Sequence, residues 1–254
     1  MFRPRVIPVL LLHEGHLVKS VGFKGYRYIG DPLNAVRIFN ELEADELIFL
    51  DIDAARNRSV IAPDLVRSIG EEASMPFAVG GGISQLTQIA QLLSNGAERV
   101  IIGSAAAIRP AFIEEASSEF GSSTITVCID VKKDFFGRER VWVQNGRTAT
   151  GRNPVEFAEL MEASGAGEII LQSIKRDGSM NGYDYDLIKK VASAVSIPVV
   201  ALGGAGNMEH LKHAFANAYA NAVAAGSMFV YCDTNRGVLI NYPSKDEIRF
   251  EISA

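Results

Sequence analysis

The sequence predicts a closed (βα)8 barrel, and three observations predict it. Short apolar runs with strand character alternate with helical patterns along the whole chain. There are eight such runs, the number a barrel of this type needs. The first half of the chain also resembles the second, as two half-barrels of four units would. An open doubly wound parallel sheet is the structural alternative, but the eightfold alternation within 254 residues, with no segment that reads as a linker, favours a single closed barrel spanning 1–254.

The runs are Val6–Leu12, Glu46–Ile52, Phe77–Val79, Val100–Ile102, Ile125–Ile129, Glu168–Leu171, Pro198–Leu202 and Ala222–Ala225. They are short, rich in Val and Ile and nearly free of polar alternation, as strands covered on both faces must be. Between them lie helices with start signals. Asp31 and Pro32 open one, and Asn153 and Pro154 open another that Gly165 stops; Ser84 and Asn207 are further candidate caps. The segment from Leu12 to Ile29 reads as a long loop. The stretch "FFGRERVWVQNGRTATG", near 133–152, reads as a hairpin around Asn145-Gly146 inserted after the fifth strand, either a lid or an elaborated loop. Trp142 within it reads as a packing residue.

The internal repeat pairs Glu46 with Glu168, Pro76 with Pro198, Gly82 with Gly204, and Gly103-Ser104 with Gly226-Ser227. In the same alignment Leu11 faces Asp130. Strands three, four, seven and eight end in "VGGGIS", "IIGSAA", "LGGAGN" and "AAGSMF". In a barrel these are the strand ends that build active sites. Glycine there either serves a tight turn or lets a phosphate approach backbone amides. Two matching pairs point to two phosphate sites across one mouth, and so to a long ligand with a phosphate at each end.

Asp130, at a strand end between Ile129 and Val131, is the candidate for general acid–base work, against a structural acid that bonds a neighbouring loop. Asp51 and Asp53 are expected to orient loops or lysines. Asp177-Gly178 follows strand six and can bind or turn. Lys19 is either a lid lysine that closes on a phosphate or a solvated surface lysine. His13 and His16, and His210 and His213, have a spacing that could suit a metal, but no carboxylate or thiol constellation joins them. They read as surface histidines, and neither a metal nor a cofactor is expected. Arg5, Glu46, Arg99 and Glu168 precede four different strands, which places two cations and two anions around the N-terminal mouth; charges at strand starts are otherwise simply solvated.

A net charge of −5 gives no reason to expect nucleic acid or an anionic membrane as partner, and no stretch reaches the length of a membrane span. Arg3, Pro4 and Arg5 interrupt any apolar run a signal peptide would need. The two cysteines, Cys128 and Cys232, form no metal or redox spacing, and Cys128 reads as a small buried hydrophobe. A reducing cytoplasm is expected.

The motifs "ADELIFLDI", "PFAVGGGI", "CIDVK", "GAGEIIL", "RDGSMNGYD", "PVVALGGAG" and "AAGSMF" resemble the cyclase (HisF) subunit family of imidazole glycerol phosphate synthase from Arg5 to about Phe229. The resemblance implies a (βα)8 barrel that takes ammonia from a separate, HisH-like glutaminase subunit docked at the N-terminal face, as a heterodimer. The ammonia cleaves and cyclises a bis-phosphorylated ribulosyl aminoimidazole carboxamide nucleotide to imidazole glycerol phosphate. It implies catalytic roles for Asp130 and Lys19, and phosphate binding around Gly82, Gly103, Ser104, Asp177, Gly178, Gly204, Gly226 and Ser227. Arg5, Glu46, Arg99 and Glu168 would form a salt-bridged ammonia gate, where the family more often has Lys at 99. The family's other catalytic aspartate falls at Leu11, its usual asparagine at Gly103, and the tail "VYCDTNRGVLINYPSKDEI" replaces its usual last helix. In these respects the chain resembles divergent HisF-like proteins associated with amidation of surface-polysaccharide sugars, of the kind that occurs in lipopolysaccharide biosynthesis.

Overall fold

The computed structural model describes residues 4–232 and 237–248. Both ends of the expected 1–254 domain, and part of the divergent tail, therefore lie outside the described residues.

The chain runs β1 (Arg5–His13), β2 (His16–Val21), β3 (Lys24–Gly30), α1 (Pro32–Glu41), β4 (Leu47–Asp51), α2 (Ala54–Asn57), α3 (Pro63–Glu72), β5 (Phe77–Gly80) and α4 (Leu86–Ser94). It continues through β6 (Arg99–Ile102), α5 (Ser104–Ile108), α6 (Ala111–Phe120), β7 (Ile125–Lys133), β8 (Glu139–Val143), β9 (Thr148–Ala149) and α7 (Pro154–Ala163). Last come β10 (Glu168–Ser173), α8 (Tyr185–Ala192), β11 (Val199–Leu202), α9 (Met208–Ala218) and β12 (Ala222–Ala225). The eight expected strands are β1, β4, β5, β6, β7, β10, β11 and β12. They pair in that order, all parallel, and β12 closes on β1. The molecule is a (βα)8 barrel.

Two apolar clusters follow from strands covered on both faces. Ile7, Val9, Ile48, Ala78, Ile101 and Ile170 belong to the cluster that fills the barrel interior. Their neighbours along each strand pack outward against the helices. Helix α1 shows how the outer layer forms: it buries Pro32, Ala35, Val36 and Phe39, a single stripe at helical spacing. Asp31 accepts from the Asn34 amide, Asn153 from the Val155 amide and Asn207 from the His210 amide, so three expected caps act as such. Gly165 follows α7 with φ +91. Ser84 does not cap. Helix α4 starts after Gln85, and the Gln88 side chain takes the amides of both Ser84 and Gln85.

The expected loop from Leu12 to Ile29 is instead a β-hairpin. Strand β2 pairs antiparallel with β1, placing Leu11 opposite Val18, and β3 pairs with β2. The turns are carried by Glu14-Gly15 and Gly22-Phe23, all with positive φ, the geometry that matches strand twist. After the fifth barrel strand, β7 runs on to Lys133 and pairs with β8, and β8 turns into β9 through Gln144, Asn145 and Gly146, also at positive φ. The described tail lies beneath the barrel, where the Tyr242 hydroxyl donates to the Val6 carbonyl at 2.8 Å and Ile248 is fully buried.

Candidate functional site

The C-terminal strand ends build two adjoining niches, each drawing on both half-barrels. Gly82, Gly103, Ser104 and Asp130 line a cavity of about 430 Å³. Lys19, Asp177, Gly178, Gly204, Gly226 and Ser227 line a second, narrow niche of about 20 Å³. All ten residues read from the sequence as belonging to the mouth are therefore there, divided between the two niches.

The repeat is also conformational. Gly82 and Gly204 both hold positive φ, and a methyl group on them would lie 1.9 Å from the Ser59 carbonyl oxygen and 2.2 Å from that of Gly182. Both glycines are thus required by close backbone packing, before any ligand is considered. Gly103 (φ −106, ψ −91) and Gly226 (φ −105, ψ −71) each precede a short helical segment that opens with a serine. Among the described residues, the amides of Gly82, Ser104, Gly204 and Ser227 donate to no protein carbonyl. Donors of this kind at strand ends suit an anion.

Lys19 is neither in a loop nor solvated. It lies on β2 with 4% of its surface exposed and donates to the Val9 carbonyl. The space a Gly226 side chain would need is taken by its ammonium. Burial lowers its pKa to about 8, against the pull of Asp177. Asp177, in the turn after β10, accepts from Ser20 Oγ at 3.2 Å and Gln172 Nε2 at 3.4 Å, so it both turns and binds. Burial raises its pKa, opposed by Lys19. Asp130 projects from β7 into the larger cavity with the Cys128 thiol 3.7 Å away. Burial lifts its pKa to about 7; the thiol works against that lift and Asp177 adds to it. A carboxyl titrating near neutrality can both take and return a proton.

Other expectations are corrected. Cys128 is a partly exposed wall of the cavity, not a sealed core residue. Of the two roles expected for Asp51 and Asp53 the structure has the first: Asp51 accepts from the Asp53 and Ala54 amides and Asp53 from the Glu14 amide, so both orient loops. Asp53 also holds His13 Nδ1 at 2.6 Å and Arg56 at 3.1 Å, and neither acid meets a lysine. His13 is tied to that carboxylate and stacks on Tyr26, and His210 accepts from the Gly206 amide, so they are not free surface histidines. Among the described residues no group of three His, Cys, Asp or Glu is placed to hold a metal ion. The β8–β9 turn sits over the larger cavity: the Gln144 amide donates to Ser104 Oγ at 3.0 Å, and Asn145 Nδ2 to the Ile52 carbonyl. Trp142 packs, its ring under the Lys132 ammonium.

Three residues line both niches: Leu11, Ser20 and Gln172. Sequence reading passed over the last two. The apolar run of strand six ends at Leu171, whereas β10 continues to Ser173, and Gln172, the first polar residue after that run, is the available signal.

At the opposite end of the barrel, Arg5 bonds Glu46 at 3.0 Å and also Glu168, and Arg99 bonds Glu168 at 2.8 Å and also Glu46. Each charge touches both of its opposites, so the four residues form a closed ring of alternating sign. Burial raises the Glu46 pKa, and the two arginines oppose that.

A family model described as histidine biosynthesis protein matches residues 5–235. A Leptospira borgpetersenii protein, named provisionally as imidazole glycerol phosphate synthase subunit HisF, is 46% identical over 96% of either chain. A Pseudomonas aeruginosa protein, named provisionally as subunit hisF2, is 44% identical over 98% of this chain and 99% of its own. The imidazole glycerol phosphate synthase subunit HisF of Alkaliphilus metalliredigens is 39% identical over 91% of this chain and 92% of its own.

Proposed function

The chain belongs to the histidine biosynthesis protein family, and from that premise we propose that it is a HisF-like, ammonia-using synthase subunit. A separate HisH-like glutaminase docks over the Arg5–Glu46–Arg99–Glu168 ring and releases ammonia into the barrel. The acceptor is a small molecule with a phosphate at each end, held by the amides around Gly82, Gly103 and Ser104 on one side and Gly178, Gly204, Gly226 and Ser227 on the other. Lys19 neutralises the second phosphate, and Asp130 exchanges the proton. The observation that carries this reading is the placement of Asp130, with a pKa of about 7, at the mouth between two anion-suited strand ends.

Leu11 favours a second reading. It occupies the end of β1, where the repeat places the counterpart of Asp130, and it can move no proton. On this reading the chain docks and activates the glutaminase and passes ammonia on for amidation of a surface-polysaccharide sugar, without cyclising a substrate itself.

One experiment separates them: ammonia-dependent turnover of the bis-phosphorylated ribulosyl aminoimidazole carboxamide nucleotide. Under the first reading wild type turns over slowly, Leu11→Asp gains rate, and Asp130→Asn loses about 10²–10⁴-fold. No turnover by wild type or Leu11→Asp, with glutaminase activation intact, establishes the second. Full-rate turnover by wild type shows that Asp130 and Lys19 suffice and that Leu11 is no handicap.

A further inference from the structure

The chain's net charge of −5 hides a local excess of the opposite sign. Residues 131–152, the arm made by the end of β7 with β8 and β9, hold six Lys and Arg against two Asp and Glu, a net +4. Both acids are already answered: Asp134 by Arg138 at 3.1 Å and Arg140 at 3.5 Å, and Glu139 by Lys190 of α8 at 3.2 Å. Lys132 and Lys133 stand exposed beside them. The β7–β8 turn carries two aromatic side chains that lie in solvent. Phe135 is 97% exposed and Phe136 75%, more than any other large apolar side chain among the described residues. Their rings meet edge to face at 5.6 Å. The turn itself is closed by its own bonds: the Asp134 carboxylate accepts from the Phe136 and Arg138 amides at 2.8 and 3.0 Å, and the Asp134 amide donates to the Arg138 carbonyl at 2.8 Å. Neither ring serves the core, and both are held out on a fixed support.

We infer that this turn attaches the protein to an anionic membrane surface, with Phe135 and Phe136 entering the boundary between headgroups and acyl chains. Lys132, Lys133, Arg138 and Arg140 then meet the negative charge of the lipid. Shape decides the occupant. A stable protein interface covers about 800 Å² on each side, which two side chains on a convex turn do not supply. A single-stranded nucleic acid needs a basic groove that tracks its backbone, and neither cavity of the mouth includes the turn. A bilayer closes around a convex apolar tip and asks for no matching shape. Because the turn is already fixed, little ordering opposes its insertion. Two rings and four cations give a weak, reversible attachment. The inference stands apart from the ammonia-using reading and does not depend on it.

Co-sedimentation with vesicles of phosphatidylglycerol and phosphatidylcholine in equal parts tests it. At low salt wild type should pellet with these vesicles, and little should pellet with phosphatidylcholine alone or at high salt. A chain of net charge −5 is otherwise repelled by such a surface, so the arm must supply the attraction. The double variant Phe135→Ser, Phe136→Ser should lower the partition coefficient by about tenfold or more, since both rings lose their burial in lipid. Lys133→Gln should lower it by about fivefold, the worth of one cation near an anionic surface. Phe135→Trp should bind at least as well as wild type, because Trp is favoured at the membrane interface. All three should melt with wild type, as none of these side chains supports the core. If the double-serine variant pellets as well as wild type, the rings do not enter the bilayer and the inference is overturned. Binding that ignores the charge of the lipid overturns it as well. So does a wild type that ignores anionic vesicles altogether, and the exposed tip then belongs to a protein partner.

Discussion

At the residue scale, the site holds Asp130 and Lys19 at a cost in stability. An ordinary aspartate titrates near 3.8, and Asp130 in the folded barrel near 7. Below pH 3.8 its carboxyl is protonated whether the chain is folded or not, and pH makes no difference. Between 3.8 and 7 the folded state still holds the proton that the unfolded state has released, so stability falls as pH rises, and the full cost is present above 7. Lys19 works from the other side: its pKa is lowered to about 8, so its cost is complete below 8 and gone above the ordinary lysine value of 10.5. Asparagine at 130 carries no such cost. The melting temperature of Asp130→Asn should therefore exceed that of wild type by an amount that grows from pH 4.5 to pH 7 and then levels off. A gain that is largest at low pH would show that the carboxyl is not the buried group described. Asp130 was legible in the sequence because a carboxylate ending an apolar strand is conspicuous. Ser20 and Gln172 were not, because nothing local says that a polar residue just past an apolar run will meet a second niche. The burial of Lys19 was equally hidden, since it depends on a pairing between distant backbone segments.

At the element scale, what the sequence disclosed was what local chemistry decides. Asp31, Asn153 and Asn207 satisfy amides within three residues of themselves, and the eight strands are marked by their own apolar runs. The β2–β3 hairpin is not legible in the sequence because Lys24–Gly30 is largely exposed and so carries little apolar pattern. Its register comes from β1 and from two positive-φ turns. The β8–β9 hairpin was visible through Asn145-Gly146, but its seat was not. In the structure it is pinned to the mouth by Asn145 to Ile52 and Gln144 to Ser104. Losing one such bond costs about 0.5–1.5 kcal/mol. In Asn145→Ala, hydrogen exchange at the Gln144 amide should accelerate by roughly tenfold, because the tip opens without the barrel opening. Amides in β7 and β10 should be unaffected, and the melting temperature should fall by no more than about 2–4 °C. Equal acceleration across β7 would mean that the hairpin is part of the barrel's cooperative unit and not a separable cover.

At the scale of the whole molecule, the barrel has a charged end and an acid–base end with an apolar interior between them. Arg5, Glu46, Arg99 and Glu168 sum to zero charge, and each of the four hydrogen-bonded contacts joins opposite signs. Such a ring is weak evidence for stability, since the desolvation of its acids offsets their attraction to the arginines. Its position suits a passage: the interior cluster of Ile7, Ile48 and Ile101 lies directly above it and holds nothing charged. Glu46→Lys changes the ring from neutral to +2 and puts three cations against Glu168 alone. Breaking a buried ionic arrangement in this way should cost about 3–5 kcal/mol, and Glu46→Gln, at +1, should cost less. Stability alone cannot distinguish a gate from a structural clasp, so the deciding measurement compares two ammonia sources in whichever variant stays folded. With ammonium salt supplied directly, turnover or ammonia delivery should remain near wild type, because the mouth around Asp130 lies at the far end of the barrel. With glutamine and a glutaminase subunit it should fall sharply if, as proposed, docking and transfer both pass through the altered ring. If the two sources lose activity in proportion, the ring merely holds the strands together. If neither loses any, ammonia does not enter by this end, and the charged face and the acid–base face serve separate purposes.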